Sequence, residues 1–125
     1  MKRARAHIVP LAAPAVALLR ELRKITAGGL LFPGLKHPGT PLSATTLNRA
    51  LEYLDLKGWH CHDFRATAST HLYESQMWRP EVIEMQLSHK EKGKTKGAYN
   101  HALYLDERRA MMEWWADVLQ KCRTN

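Results

Sequence analysis

Cysteine is scarce in this chain: Cys61 and Cys122 are the only two in 125 residues. They lie far apart and have neither metal-ligand nor redox spacing, which excludes a disulfide framework and makes a reducing cytoplasm the natural setting. Long apolar runs are also missing. No stretch approaches the length of a membrane-spanning helix. The basic residues Lys2, Arg3 and Arg5 lead into Pro10 and Pro14 rather than into the apolar core of an export signal, so neither export nor a membrane is expected. Internal repeats and low-complexity segments are absent as well. Acidic residues are few beside basic ones, 12 against 19, and the formal charge of +7 favours polyanionic partners through phosphate neutralisation and counterion release. At this length and with 45% hydrophobic content, the expectation is one domain over residues 1–125 with a core of its own.

Hydrophobic periodicity predicts a mainly α fold of about five to six helices. Residues 7–11, His-Ile-Val-Pro-Leu, read as a short strand ended by proline, with no later segment alternating well enough to pair with it. Such an edge is either open or covered by another chain. Pro14 opens a helix whose stripe is Ala15, Leu18, Leu19, Leu22 and Ile25, and Gly28-Gly29 ends it. A proline- and glycine-rich loop follows over residues 30–41. Ser43 is the expected N-cap of a second helix, with Leu47, Ala50, Leu51 and Leu54 buried. A third runs over about 62–75 with Phe64, Ala68 and Leu72 on one face, and Pro80 opens a fourth ending near Ser88-His89. The lysine-rich residues 90–97 form a polar connector leading directly to Tyr99. The last helix spans about 105–123, with Met111, Met112, Trp115, Val118 and Leu119 as its apolar face.

The chemistry-bearing residues lie between positions 62 and 99. On a helix His62 and Arg65 stand at i and i+3, so both project from one face and can converge on one anion. In a chain with seven histidines such a pair carries little weight alone. Context adds to it. Arg65 presents a planar fork suited to two phosphate oxygens, and His62 and His89 can donate hydrogen bonds to charge developing at phosphorus. Tyr99 offers an oxygen nucleophile able to form a covalent phosphoryl intermediate once its proton is removed. His60, Cys61 and His62 are of metal-ligating types, but adjacent residues point in different directions and no second ligand pair stands at zinc-finger spacing, so neither metal nor cofactor is expected.

Taken in order, residues 5–11 (Arg-Ala-His-Ile-Val-Pro-Leu), residues 62–70 (His-Asp-Phe-Arg-Ala-Thr-Ala-Ser-Thr), Leu87-Ser88-His89, Ala98-Tyr99-Asn100 and residues 104–109 (Tyr-Leu-Asp-Glu-Arg-Arg) with Met111-Met112 resemble the C-terminal part of a tyrosine recombinase catalytic domain. The likeness is to the integrases of satellite phages and integrative elements, and it covers nearly the whole chain. It implies that Tyr99 attacks the scissile phosphate to make a phosphotyrosyl bond. It further implies that Arg65 is the second catalytic arginine, that His62 and His89 flank the phosphate, and that Lys2, in a β-hairpin remnant, protonates the leaving oxygen. Double-stranded DNA carrying attachment sites, self-association as a family-like tetramer on DNA, and a bacterial, nucleoid-associated location are implied with it.

The resemblance also places the family's first catalytic arginine and its DNA core-binding domain upstream of the segment matched here. Loss of one preorganised cation or donor costs about two to three orders of magnitude in rate. Little or no recombination is therefore expected from this polypeptide alone. Two alternatives stay open: a non-catalytic DNA-binding or protein-interaction remnant of an integrase, and Tyr104 in place of Tyr99 as the nucleophile.

Overall fold

The computed structural model describes residues 6–89 and 103–124. Five helices account for its regular structure: α1 (Ala13–Ile25), α2 (Thr46–Tyr53), α3 (Cys61–Glu74), α4 (Pro80–Gln86) and α5 (Leu105–Thr124). The mainly α class expected from the periodicity is what the chain adopts. None of these helices is long and apolar enough to cross a membrane. Lys2, the connector at 90–97 and Tyr99 lie outside the described residues.

Two compact units are recognisable. One is Ala13–Ala68; the other combines the described residues before Ala13 with those from Ser69 onward. Helix α3 contributes its N-terminal part to the first and its C-terminal part to the second.

Within the Ala13–Ala68 unit, α1 starts one residue earlier than Pro14 suggests and carries Arg23 and Lys24 in its last turn, where they face the negative end of the helix dipole. Gly28 at φ +82 turns the chain out of the helix, and Arg23 Nη1 donates to its carbonyl at 2.6 Å. The loop that follows folds back on itself. Pro33 and Pro41 form an antiparallel bridge, and Gly34 N–H donates to Thr40 O at 2.6 Å. A Cβ on Gly34 would stand 2.9 Å from His37 O and 3.2 Å from Thr40 O, so the close approach of the two arms requires glycine. Two expectations need correction here. Ser43 is not the N-cap of α2: that position is Thr45, and the Ser43 hydroxyl bonds instead to the hydroxyl of Thr46 at 2.8 Å. The stripes of α1 and α2 are also less buried than their spacing suggests, with Leu18 at 73%, Ile25 at 82% and Leu54 at 70% exposed.

The second unit holds the buried core. Leu72 from the end of α3, Val82, Ile83 and Leu87 from α4 and its cap, and Met111 from α5 form the core, and Trp78, Tyr104 and Trp114 pack against it. Pro80 at N1 starts α4 without wasting an amide, because the first helical N–H groups have no partner in the helix. Trp78 meets Trp114 edge to face at 6.2 Å. Helix α5 begins with Asp106 and Glu107 and ends with Lys121 and Arg123, matching its dipole at both ends.

One feature of this unit departs from the expectations. Residues 6–12 form no strand among the described residues, and the Ile8 carbonyl, which a partner strand would have satisfied, accepts a hydrogen bond from Arg108 Nη2. Arg108 itself is fully buried. Its Nε donates to Gln86 Oε1 at 2.9 Å and its Nη1 to Leu103 O at 3.1 Å. Burial holds its pKa below the usual arginine value, yet a guanidinium stays charged in any protein interior. Arg108→Met is expected to destabilise the chain by about 2–4 kcal/mol, because it removes charge-assisted hydrogen bonds to acceptors on three segments. A urea melt checks the loss. Limited proteolysis should then cut first within residues 6–12.

Candidate active site

Helix α3 carries the first pair of candidate residues, and its start is held by three contacts. Asp63 Oδ2 accepts from the His60 amide at 2.7 Å, the acidic half of a capping box, and lies 3.6 Å from the His60 ring. Asn48 Oδ1, reaching from α2, accepts from the Cys61 amide at 2.9 Å. Two amides that helix geometry leaves without partners are thus satisfied by side chains. Trp59 stacks on Phe64 with ring centroids 5.9 Å apart, closing the entry to the helix. From this pinned start His62 projects exposed and Arg65 half-buried, one turn apart on a single face as their spacing requires.

His89 stands in the other unit, two residues beyond the C-cap of α4. Ser88 takes the left-handed conformation at φ +54. Its amide donates to Met85 O at 3.2 Å, and the His89 amide donates to Glu84 O at 3.0 Å. This pair of bonds is a Schellman motif, usually built on glycine. The side chains repeat the backbone link: His89 Nδ1 lies 2.8 Å from Glu84 Oε2. The second oxygen of Glu84 accepts from the Tyr73 hydroxyl, which comes from the end of α3. That bond, helped by partial burial, pushes the Tyr73 phenol from 10.0 up to about 12.

Neither Glu84 nor Tyr73 stands out in the sequence. The one available signal is that Glu84 lies five residues before His89, the separation a Schellman ending brings together.

Of the five residues expected to form the site, His62 and Arg65 share a helix face, His89 is set by a helix ending, and Tyr99 and Lys2 lie outside the described residues. Tyr104, the competing nucleophile, is half-buried against the core, and the Arg79 guanidinium lies 4.9 Å above its ring. Arg79 in turn holds Glu107, Nη2 to Oε2 at 2.6 Å. Such packing between a cation and the core is a structural use of tyrosine. Among the described residues no group of three histidine, cysteine or acidic side chains is placed to hold a metal.

The model of the phage integrase family matches residues 1–105. The chain belongs to the phage integrase family. Among integrases it is 44% identical over 128 residues to the integrase of Enterobacteria phage P4, covering 98% of this chain and 29% of that protein. It is 43% identical to the prophage integrase IntZ of Escherichia coli K12 (95% of this chain, 30% of the relative) and 39% identical to the prophage integrase IntA of the same strain (96% and 29%). The chain thus spans less than a third of the length of these integrases. No solved structure matches it significantly.

Two outcomes follow from this geometry. Ser88→Gly removes the steric cost of a left-handed L-residue and should stabilise the chain by about 1 kcal/mol, read as a higher urea midpoint. For Tyr73, whose folded pKa lies above its unfolded one, the linked stability is fully present below pH 10 and is lost as pH rises towards 12. Ultraviolet titration should show a phenol ionising near 12 that Glu84→Ala returns towards the ordinary value of 10.0.

Proposed function

We propose that this chain supplies the C-terminal part of a tyrosine recombinase catalytic domain and serves site-specific integration of DNA through a phosphotyrosyl intermediate. The observation that carries the reading is the family match over residues 1–105, inside which Lys2, His62, Arg65, His89 and Tyr99 all fall.

In this reading Tyr99 Oη attacks the scissile phosphorus of double-stranded DNA as its proton is withdrawn. The new P–O bond joins the strand to the protein, and the bond to the deoxyribose oxygen breaks. Lys2 delivers a proton to that leaving oxygen. Arg65 neutralises non-bridging phosphate oxygens, and His62 and His89 donate to the charge that accumulates on the five-coordinate phosphorus. Rejoining is the reverse step, with a deoxyribose hydroxyl of the partner strand attacking the phosphotyrosine. The exposed His62 and half-buried Arg65 on one face of a capped helix support this use, because a substrate as large as a duplex needs reachable groups on a rigid element. Recombination needs two duplexes, so a tetramer on attachment-site DNA belongs to the same proposal. The first catalytic arginine of the family is expected in the segment that precedes this one in the longer relatives.

A pool of nicked duplexes of randomised sequence, which trap a strand once it is cleaved, tests the proposal. A slow covalent protein–DNA adduct is expected that Tyr99→Phe abolishes and Arg65→Ala slows by about two to three orders of magnitude. Retention of DNA with no adduct would instead favour a non-catalytic binding module. An adduct lost in Tyr104→Phe but kept in Tyr99→Phe would overturn the assignment of the nucleophile.

A further inference from the structure

We infer that Glu84 is the positioning residue for His89, fixing both the place of its ring and which ring nitrogen faces the phosphate. The inference rests on the recombinase reading above for the identity of the reaction, though not for the contact itself.

The contact is built twice over. Glu84 accepts the His89 amide on its main-chain oxygen at 3.0 Å and meets His89 Nδ1 with its carboxylate at 2.8 Å. In most Schellman endings the corresponding two side chains make an apolar contact. Here a carboxylate and an imidazole occupy those positions. The other carboxylate oxygen is held by the Tyr73 hydroxyl, so Glu84 is anchored from α3 and cannot swing away from the ring without breaking a second bond. Both side chains remain partly exposed, His89 at 46% and Glu84 at 39%, which leaves the ring reachable by a large substrate.

The chemical consequence follows from the proton inventory. An ionised carboxylate only accepts hydrogen bonds, so the proton between the two groups resides on Nδ1 of His89. Nε2 is then the nitrogen presented outward. In the neutral ring Nε2 carries a lone pair and can take a proton. In the imidazolium it donates a hydrogen bond. A histidine without this partner distributes its neutral form between two tautomers, one of which has the proton on the outward nitrogen and can accept nothing there. Glu84 thus makes Nε2 the nitrogen through which His89 meets the phosphate, taking a proton there in the neutral ring and donating to the developing charge once the ring carries both protons.

The test uses the whole chain labelled with nitrogen-15 in its histidines, together with the nicked-duplex assay. In the native chain the neutral His89 ring should show a protonated Nδ1 and a bare Nε2. Glu84→Gln keeps the size of the side chain and an acceptor for Tyr73, but turns a donor N–H to the ring. It should move the proton to Nε2 and lower the rate of the Tyr99-dependent adduct at least about tenfold, within the 10²–10⁴ that a positioned acid or base contributes. Tyr73→Phe, which leaves the carboxylate in place but removes its bond to α3, should have a smaller effect in the same direction. An unchanged ring spectrum in Glu84→Gln would overturn the positioning role, as would an altered spectrum with an unaltered adduct rate. Should the native chain show the expected ring spectrum but no Tyr99-dependent adduct, the recombinase reading fails and the catalytic meaning of the contact with it, while the contact stands.

Discussion

A charged guanidinium with no exposed surface sits at the centre of the larger packed unit, and the arrangement around it depends on its being satisfied. Taking an ion out of water costs several kcal/mol unless its donors are matched. Arg108 meets that cost with neutral oxygens from three separate segments: the carbonyl of Ile8, the side-chain amide of Gln86 at the end of α4, and the carbonyl of Leu103 just before α5. Because each acceptor comes from a different part of the chain, the bonds tie the N-terminal segment to two helices. The His7 ring, 3.4 Å from the Gln86 carbonyl, adds to the same junction. The apolar core of Leu72, Val82, Ile83, Leu87 and Met111 packs in the same unit, and hydrophobic burial there is non-directional. The guanidinium supplies the direction, since its planar fork accepts partners only in its own plane.

The candidate chemistry is held by helix ends rather than helix middles. His62 and Arg65 follow from a start secured by Asp63 and Asn48, and His89 from a finish secured by Ser88 and Glu84. Helix ends carry unpaired backbone groups that must find partners. Side chains recruited to satisfy them become rigid, and a rigid neighbour is what a phosphate-binding group needs. The chain belongs to the phage integrase family; under the proposed recombinase reading these rigid positions serve strand cleavage, with the Glu84 carboxylate setting the proton of one of them.

Local reading of the chain succeeded where the causes were local. Proline at N1 of α4, the break at Gly28, and the i, i+3 relation of His62 and Arg65 all depend on neighbours within one or two turns. It failed where the deciding partner was distant. Residues 7–11 have the composition of a strand, but a strand exists only by pairing, and the Ile8 oxygen went to a side chain 100 residues away. Leu18, Ile25 and Leu54 occupy apolar stripes that periodicity marks as capable of burial, and they stand exposed. Ser43 had the residue type of a cap but found a neighbouring hydroxyl in place of an amide.

Helix count and helix class were therefore readable from the linear chain, where they rest on spacing and propensity. The candidates His62, Arg65, His89 and Tyr99 rest on side-chain chemistry together with the family resemblance, and Lys2 on the resemblance alone. The burial of Arg108, the conversion of a would-be strand into an acceptor for it, and the Tyr73–Glu84–His89 chain of hydrogen bonds came only with the folded structure. Each requires groups from separate elements to meet within hydrogen-bond distance, and no pattern along a single segment specifies which groups those will be.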